Sequence, residues 1–331
     1  MNDFLCRDQR EDLAILPTPV HKLERFSKEV GAEVWFKRDD LTHYLASGNK
    51  IRKLEYLFHK AKSSGARAVV TCGGIQSNHA RATAAICRMI GMKPVLFLRG
   101  SQPDLPQGNF LLDCLLGAEI HWMTPEDYRR RDGIMEQYRM NQPIPHEVFV
   151  IPEGGSDPTG VNGYASALLE MAEQLDLEEM DGIFVPVGSG GTYSGLIAGA
   201  ALLKISTPIY GINVTLDSNP YFPDKCEAMV RSWMKENQVE RKVDPSAFHI
   251  VDSFVGDGYA VPTPSGLRWI VDLMKLEGIL LDPVYTSKAI DGMVHTLRQE
   301  GMKKVLFIHT GGGFGNFAFA DSLSGQLAPL L

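Results

Sequence analysis

Ala68-Val69-Val70-Thr71-Cys72-Gly73-Gly74-Ile75-Gln76-Ser77-Asn78-His79 is the stretch on which the fold turns. Ala68 to Cys72 is a short β-branched run of the kind that fills a buried strand. Two glycines break it, and helical spacing then runs from Asn78 to Ile90, where Gly91 stops it. The same unit repeats downstream. Strand Pro94–Leu98 leads to helix Asn109–Leu116, then strand Ile120–Trp122 and a polar helix Pro125–Met140. Pro152 to Gly160 is the strongest linker signal. Beyond it come helix Val161–Leu175, strand Gly182–Val187, helix Tyr193–Leu203 and strand Ile209–Val214. A helix near Lys225–Lys235, a strand near Phe248–Val251 and helices near Leu267–Glu277 and Thr286–Arg298 follow. The last strand is Lys304–His309. Upstream lie an extended entry at Ile15–Val20, a strand at Val34–Asp40, and a helix through Lys50 that ends at Gly65. Strands alternating with glycine-stopped helices predict an α/β protein with parallel-type sheets flanked by helices, in two lobes with a cleft between them.

Composition narrows the function. The chain has 331 residues, 44% of them hydrophobic, and a formal charge of −7. Mild acidity without a basic run argues against nucleic acid or an anionic membrane as partner. No apolar stretch nears the ~20 residues of a membrane helix. The start, Met1 to Asp8, is mixed and charged, unlike a signal peptide. The five cysteines (Cys6, Cys72, Cys87, Cys114, Cys226) form no C-x-x-C pair, so no metal site is expected; buried free thiols in a reducing cytoplasm fit them.

Three places carry chemistry. In Ser47-Gly48-Asn49-Lys50-Ile51-Arg52-Lys53-Leu54-Glu55, a glycine turn opens a helix and Lys50 falls in its first turn. A cation is disfavoured there by the helix dipole. It is either a solvated lysine or an amine that forms an imine with an aldehyde cofactor. The loop Gly188-Ser189-Gly190-Gly191-Thr192 follows a strand and opens a helix. It is either a tight turn or a phosphate site built from backbone N–H groups. A dinucleotide reading fails, because Tyr193 stands where a third glycine is needed and no acid ends the next strand. Gly73 to His79 offers Ser77 and Asn78 as donors to a carboxylate, or simply as N-caps. A Ser77/His79 hydrolase lacks both a nucleophile elbow and an orienting acid.

Taken together, these segments resemble the fold-type II pyridoxal-phosphate enzymes, the tryptophan-synthase-β-like group. The branch they resemble holds D-cysteine desulfhydrase and 1-aminocyclopropane-1-carboxylate (ACC) deaminase. The matching text runs through Pro17-Thr18-Pro19, Lys37 to Asp40, Gly48 to Glu55, Ile75 to His79, Gly258-Tyr259, Leu281 to Thr286 and His309 to Gly312. The resemblance implies a large cofactor domain from residues 1–47 and 159–331, a small inserted domain from 48–158, and a cytoplasmic homodimer. It implies that Lys50 carries pyridoxal 5'-phosphate as an imine and moves the α-proton. Gly188, Ser189, Gly190, Gly191 and Thr192 hold the phosphate. Ser77, Asn78 and His79 meet a small amino-acid substrate, Asn78 also lies near the cofactor's ring oxygen, and Tyr259 and Tyr285 lie over the substrate. Thr286 and Thr310 sit near the pyridine nitrogen. ACC deaminases carry a glutamate where this chain has Thr286, and a hydroxyl supports a ring proton less than a carboxylate does. β-Elimination from D-cysteine is therefore expected. Deamination of ACC, cysteate sulfo-lyase activity and a non-catalytic amino-acid-binding module are the alternatives. The run Gly313 to Phe317 departs from the Ala-Pro type sequence of the desulfhydrases.

Overall fold

The computed structural model describes residues 9–215, 221–241 and 243–327. In chain order the elements are β1 (Val20–Lys22), α1 (Glu24–Val30), β2 (Glu33–Lys37), α2 (Asn49–Ser63), β3 (Ala68–Gly74), α3 (Asn78–Met89), β4 (Lys93–Arg99) and α4 (Gly108–Leu115). Then follow β5 (Glu119–Met123), α5 (Pro125–Arg129), α6 (Arg131–Met140), β6 (Val148–Val150), α7 (Pro158–Gln174), β7 (Gly182–Val187), α8 (Gly191–Leu203) and β8 (Ile209–Asn213). The last are α9 (Tyr221–Glu236), β9 (His249–Val251), α10 (Pro264–Glu277), α11 (Thr286–Glu300), β10 (Lys304–Ile308) and α12 (Ala320–Leu327).

The strands form two sheets. One has the order β1-β2-β10-β7-β8-β9, the other β5-β4-β3-β6. Every pairing is parallel except β1 with β2. The smaller sheet thus draws on residues 68–150, and the larger one on residues 20–37 and 182–308. Strands such as Gly182–Val187 are buried along their whole length, because helices cover both faces. Among the described residues no helix is long and apolar enough to cross a membrane.

Helix α2 joins the two halves. Ile51, Leu54, Leu57, Phe58 and Ala61 pack on β3 and α3 of the smaller sheet. Each such buried apolar side chain contributes about 1.5–3 kcal/mol of transfer free energy. On another face Arg52 binds Asp39, just beyond β2, and Glu170 of α7.

Local departures from the pattern have local causes. The polar helix expected from Pro125 to Met140 breaks at Arg130, whose φ −107° and ψ 15° end α5. The break lets Tyr128 reach Glu153 while Met135 enters the core. Strand β6 is three residues long, too short to show a period. The linker at Pro152 to Gly160 is a 3₁₀ turn with Gly154 and Gly155 at φ 68° and 59°, followed at once by α7. Asp157 and Pro158 start α7, with the Asp157 carboxylate accepting from Gly160 N at 2.7 Å. Burial of the thiols is corrected at one position: Cys72, Cys87 and Cys226 are buried, but Cys114 lies exposed on α4. Cys6 lies outside the described residues.

Candidate active site

A cleft opens where the carboxyl ends of β7 and β10 meet the N-termini of α2, α3 and α8. Its lining includes Asn49, Lys50, Asn78, Tyr285 and Thr310, together with Gly188, Ser189, Gly190 and Thr192. Among the described residues, none that lines it is acidic.

Gly48 builds the lysine turn. Its φ of 104° suits glycine, and a Cβ there would lie 2.5 Å from Thr310 O. The same carbonyl accepts from Asn49 N at 3.0 Å, so the first turn of α2 is seated on the end of β10. Arg81 of α3 supports the turn from the other side, donating to Ser47 O at 3.0 Å and to Leu45 O at 2.5 Å. Lys50 projects into the cleft. Desolvation pushes its pKa down to about 8, against the pull of Glu153 and Asp282. At neutral pH a far larger share of this amine is uncharged than of a free lysine.

Across the cleft, the Gly188 to Thr192 loop ends β7 and starts α8. Gly190 is left-handed at φ 95°, and Gly190 and Thr192 line the opening at the start of α8. Thr192 Oγ1 accepts from Asn49 Nδ2 at 2.8 Å, which ties the loop to the lysine turn. Behind the loop, Ser156 Oγ meets Ser189 Oγ at 2.7 Å and accepts from Gly191 N at 3.2 Å. Lys53 Nζ, wholly buried, donates to the same Ser156 oxygen at 3.3 Å. Desolvation and then repulsion from Lys50 hold its pKa well below the ordinary lysine value.

Asn78 lines the cleft with its amide fixed in orientation. Its Oδ1 accepts from Asn109 Nδ2 at 2.9 Å, which fixes its Nδ2 beside Gly312. Ser77 is the N-cap of α3, accepting from Ala80 N at 3.1 Å. Tyr285 lines the cleft, and its hydroxyl lies 2.6 Å from that of Tyr259.

Of the expected site residues, Ser77, His79, Gly191, Tyr259 and Thr286 are not on the cleft lining. Thr71 Oγ1 donates to Ile151 O, so it can only accept from His79 Nε2 at 2.8 Å. Desolvation, then the nearby lysine charges, keep this imidazole neutral. Thr286 is fully buried at the start of α11. Its hydroxyl donates to Asp282 Oδ1 at 2.7 Å and accepts from Asp282 N at 2.6 Å. Sequence reasoning overlooked Lys53, Asn49, Ser156, Asn109 and Arg81. The first two stand inside the motif around Lys50, and Ser156 stands in the glycine linker. Arg81 and Asn109 are marked by no local signal.

Comparison with known proteins identifies the family. The model of the pyridoxal-phosphate dependent enzyme family matches residues 11–311. A putative ACC deaminase of Thermotoga maritima is 49% identical over 93% of this chain and 98% of its own. A D-cysteine desulfhydrase of Klebsiella pneumoniae is 34% identical over 96% of this chain and 98% of its own. The crystal structure of an ACC deaminase homologue superposes with a TM-score of 0.88 at 35% identity, covering 97% of both chains. The chain belongs to the pyridoxal-phosphate-dependent enzymes, with the two-domain fold-type II architecture and its cofactor cleft between the domains. Within them it is a lyase of the ACC deaminase and D-cysteine desulfhydrase group, and its cofactor is pyridoxal phosphate.

Proposed function

We propose that the protein eliminates sulfide from D-cysteine, giving pyruvate, hydrogen sulfide and ammonia. In this reading residues 1–47 and 159–331 form the cofactor domain and 48–158 the inserted domain. Lys50 would hold the coenzyme through its aldehyde carbon and would move the proton at the substrate α-carbon. Its lowered pKa supports both tasks, because an uncharged amine is at once nucleophile and base. Gly188, Ser189, Gly190, Gly191 and Thr192 receive the phosphate with backbone N–H groups and hydroxyls at the start of α8. Lys53, coupled through Ser156, places a second amine behind that loop. Asn78 Nδ2 and the Ser77 hydroxyl take the substrate carboxylate. The hydroxyl pair of Tyr259 and Tyr285 faces the substrate side chain. The bound coenzyme supplies the electron sink at the α-carbon.

The observation that carries the choice of reaction is that, among the described residues, no acid lines the cleft. Asp282 lies close by, but four donors occupy its carboxylate: Val284 N, Tyr285 N, Thr286 N and the Thr286 hydroxyl. Thr286 is thereby held on Asp282 by one donated and one accepted bond, and in this reading the Thr310 hydroxyl, which lines the cleft, would meet the ring nitrogen. A neutral hydroxyl supports a ring proton weakly. Loss of a good leaving group such as HS⁻ is served by the weaker sink; opening a cyclopropane calls for a stronger one. The 49% identical relative named a putative ACC deaminase favours a second reading, in which ACC yields 2-oxobutyrate and ammonia.

A substrate panel separates the two. Purified protein is assayed with D-cysteine, L-cysteine, β-chloroalanine and ACC, scoring pyruvate against 2-oxobutyrate. Pyruvate from D-cysteine well above any 2-oxobutyrate is expected. The reverse order replaces the first reading with the second, and ligand binding without turnover of any compound refutes both. Gel filtration with light scattering tests the homodimer that the family resemblance implies.

A further inference from the structure

Lys288 is fully buried in the first turn of α11 and has no part in the chemistry above. Its ammonium donates to Val255 O at 2.6 Å and Gly258 O at 2.9 Å. Those carbonyls belong to the run that carries Tyr259, whose backbone is irregular: Gly256, Gly258 and Ala260 have φ of 68°, 152° and 61°. Ala260 is one of three non-glycine residues with positive φ among the described residues. Within the run, the backbone bond is Val261 N to Gly258 O at 3.3 Å, a long one. Lys288 also follows Tyr285 by three residues, the spacing that puts two side chains on one helix face. One helix start thus presents Tyr285 to the cleft and an ammonium to the loop that delivers its partner.

We propose that Lys288 is a positioning residue: by clamping the carbonyls of Val255 and Gly258 it holds Tyr259 against Tyr285, so that the hydroxyl pair stands assembled before substrate arrives. The inference rests on the reading in which both tyrosines face the substrate, and it assigns to a residue outside the cleft the task of keeping them there. The local energetics agree. Desolvation lowers the Lys288 pKa to about 8, with Asp282 and Asp257 offsetting only part of the shift. A buried ammonium that its surroundings disfavour is poor scaffolding, whereas three donors on a flexible stem suit two carbonyls of an irregular loop.

The test is a double-mutant cycle on the full-length holoenzyme with Lys288→Met, Tyr259→Phe and the pair, using whichever panel amino acid the wild type turns over. Lys288→Met is expected to lower kcat/KM at least tenfold while leaving the visible absorption and affinity of the bound coenzyme unchanged. In the Tyr259→Phe background the same change is expected to cost less than twofold. Hydrogen–deuterium exchange is read in parallel on protein stripped of coenzyme. Amides of residues 255–261 should exchange at least tenfold faster in Lys288→Met, and those of α2 and α8 at the wild-type rate. Multiplicative losses in the cycle, or unchanged exchange at 255–261, would overturn the proposal. If the Met variant does not fold, Lys288→Gln keeps a donor and the same cycle applies, with an intermediate loss expected and wild-type behaviour refuting the clamp. A wild type that turns over none of the panel refutes the lyase reading instead, and the exchange data then decide the clamp by themselves.

Discussion

Arg52 and Lys50 stand two residues apart on helix α2, and their cationic groups meet opposite surroundings. The Arg52 guanidinium is wrapped by carboxylates: Asp39 accepts at 2.9 and 2.8 Å, and Glu170 twice at 2.9 Å. Desolvation alone would lower its pKa, but Asp39 and Glu170 raise it well above the ordinary arginine value. Lys37 and Tyr164 complete the network. On the cleft side, Lys50 and Lys53 are desolvated with far less compensation, and both pKa values fall. A buried cation that is fully paired becomes part of the frame. One that is not paired becomes an amine with chemistry to do. A single helix keeps the two apart by rotation alone, since positions two residues apart point to different sides.

The comparison breaks most completely at Lys50. Lys50→Ala is expected to abolish pyruvate release and the visible absorption of the bound coenzyme; retention of either in the purified variant would show that the reactive amine lies elsewhere. Sharpening the same point, capture of added pyridoxal phosphate by stripped protein should quicken as pH rises and level off above about 8. The sign follows from the shift: the folded pKa of about 8 lies below the ordinary lysine value of 10.5, so the neutral amine appears early. A rate still climbing at pH 10 would mean an unperturbed lysine. On the frame side, Arg52→Met leaves buried Asp39 without its cation and Glu170 with Lys37 alone. It should cost about 3–5 kcal/mol in denaturant unfolding, the typical penalty for breaking one side of a buried pair. The smallest expected effect belongs to Lys53. Lys53→Met should leave the stripped protein as stable as the wild type or more so, yet weaken coenzyme binding about tenfold, or ~1.4 kcal/mol. Equal affinity in a fluorescence titration would detach Lys53 from the phosphate loop.

Much of this was legible in the chain. Glycine-stopped helices between short apolar runs announced two parallel-type sheets, because backbone pairing and helix capping are short-range demands. The lysine turn and the glycine loop were visible for the same reason, as each is a local arrangement of glycine φ and free N–H groups. The outcomes for His79 and Thr286 were not visible. Both stand inside matching motifs, yet His79 turns to Thr71 and Thr286 gives its hydroxyl to Asp282. Motif spacing places a backbone; it does not say which neighbour a side chain will satisfy.

From sequence alone came the class of fold and the cofactor, both written in contiguous stretches of a few residues. Only the folded chain could decide which charges are neutralised. Asp39 and Glu170 reach Arg52 across 13 and 118 residues of chain, while Lys53 meets Ser156 across 103. Pairing and desolvation depend on what surrounds a group in three dimensions, and that neighbourhood exists only once the two sheets have closed on α2.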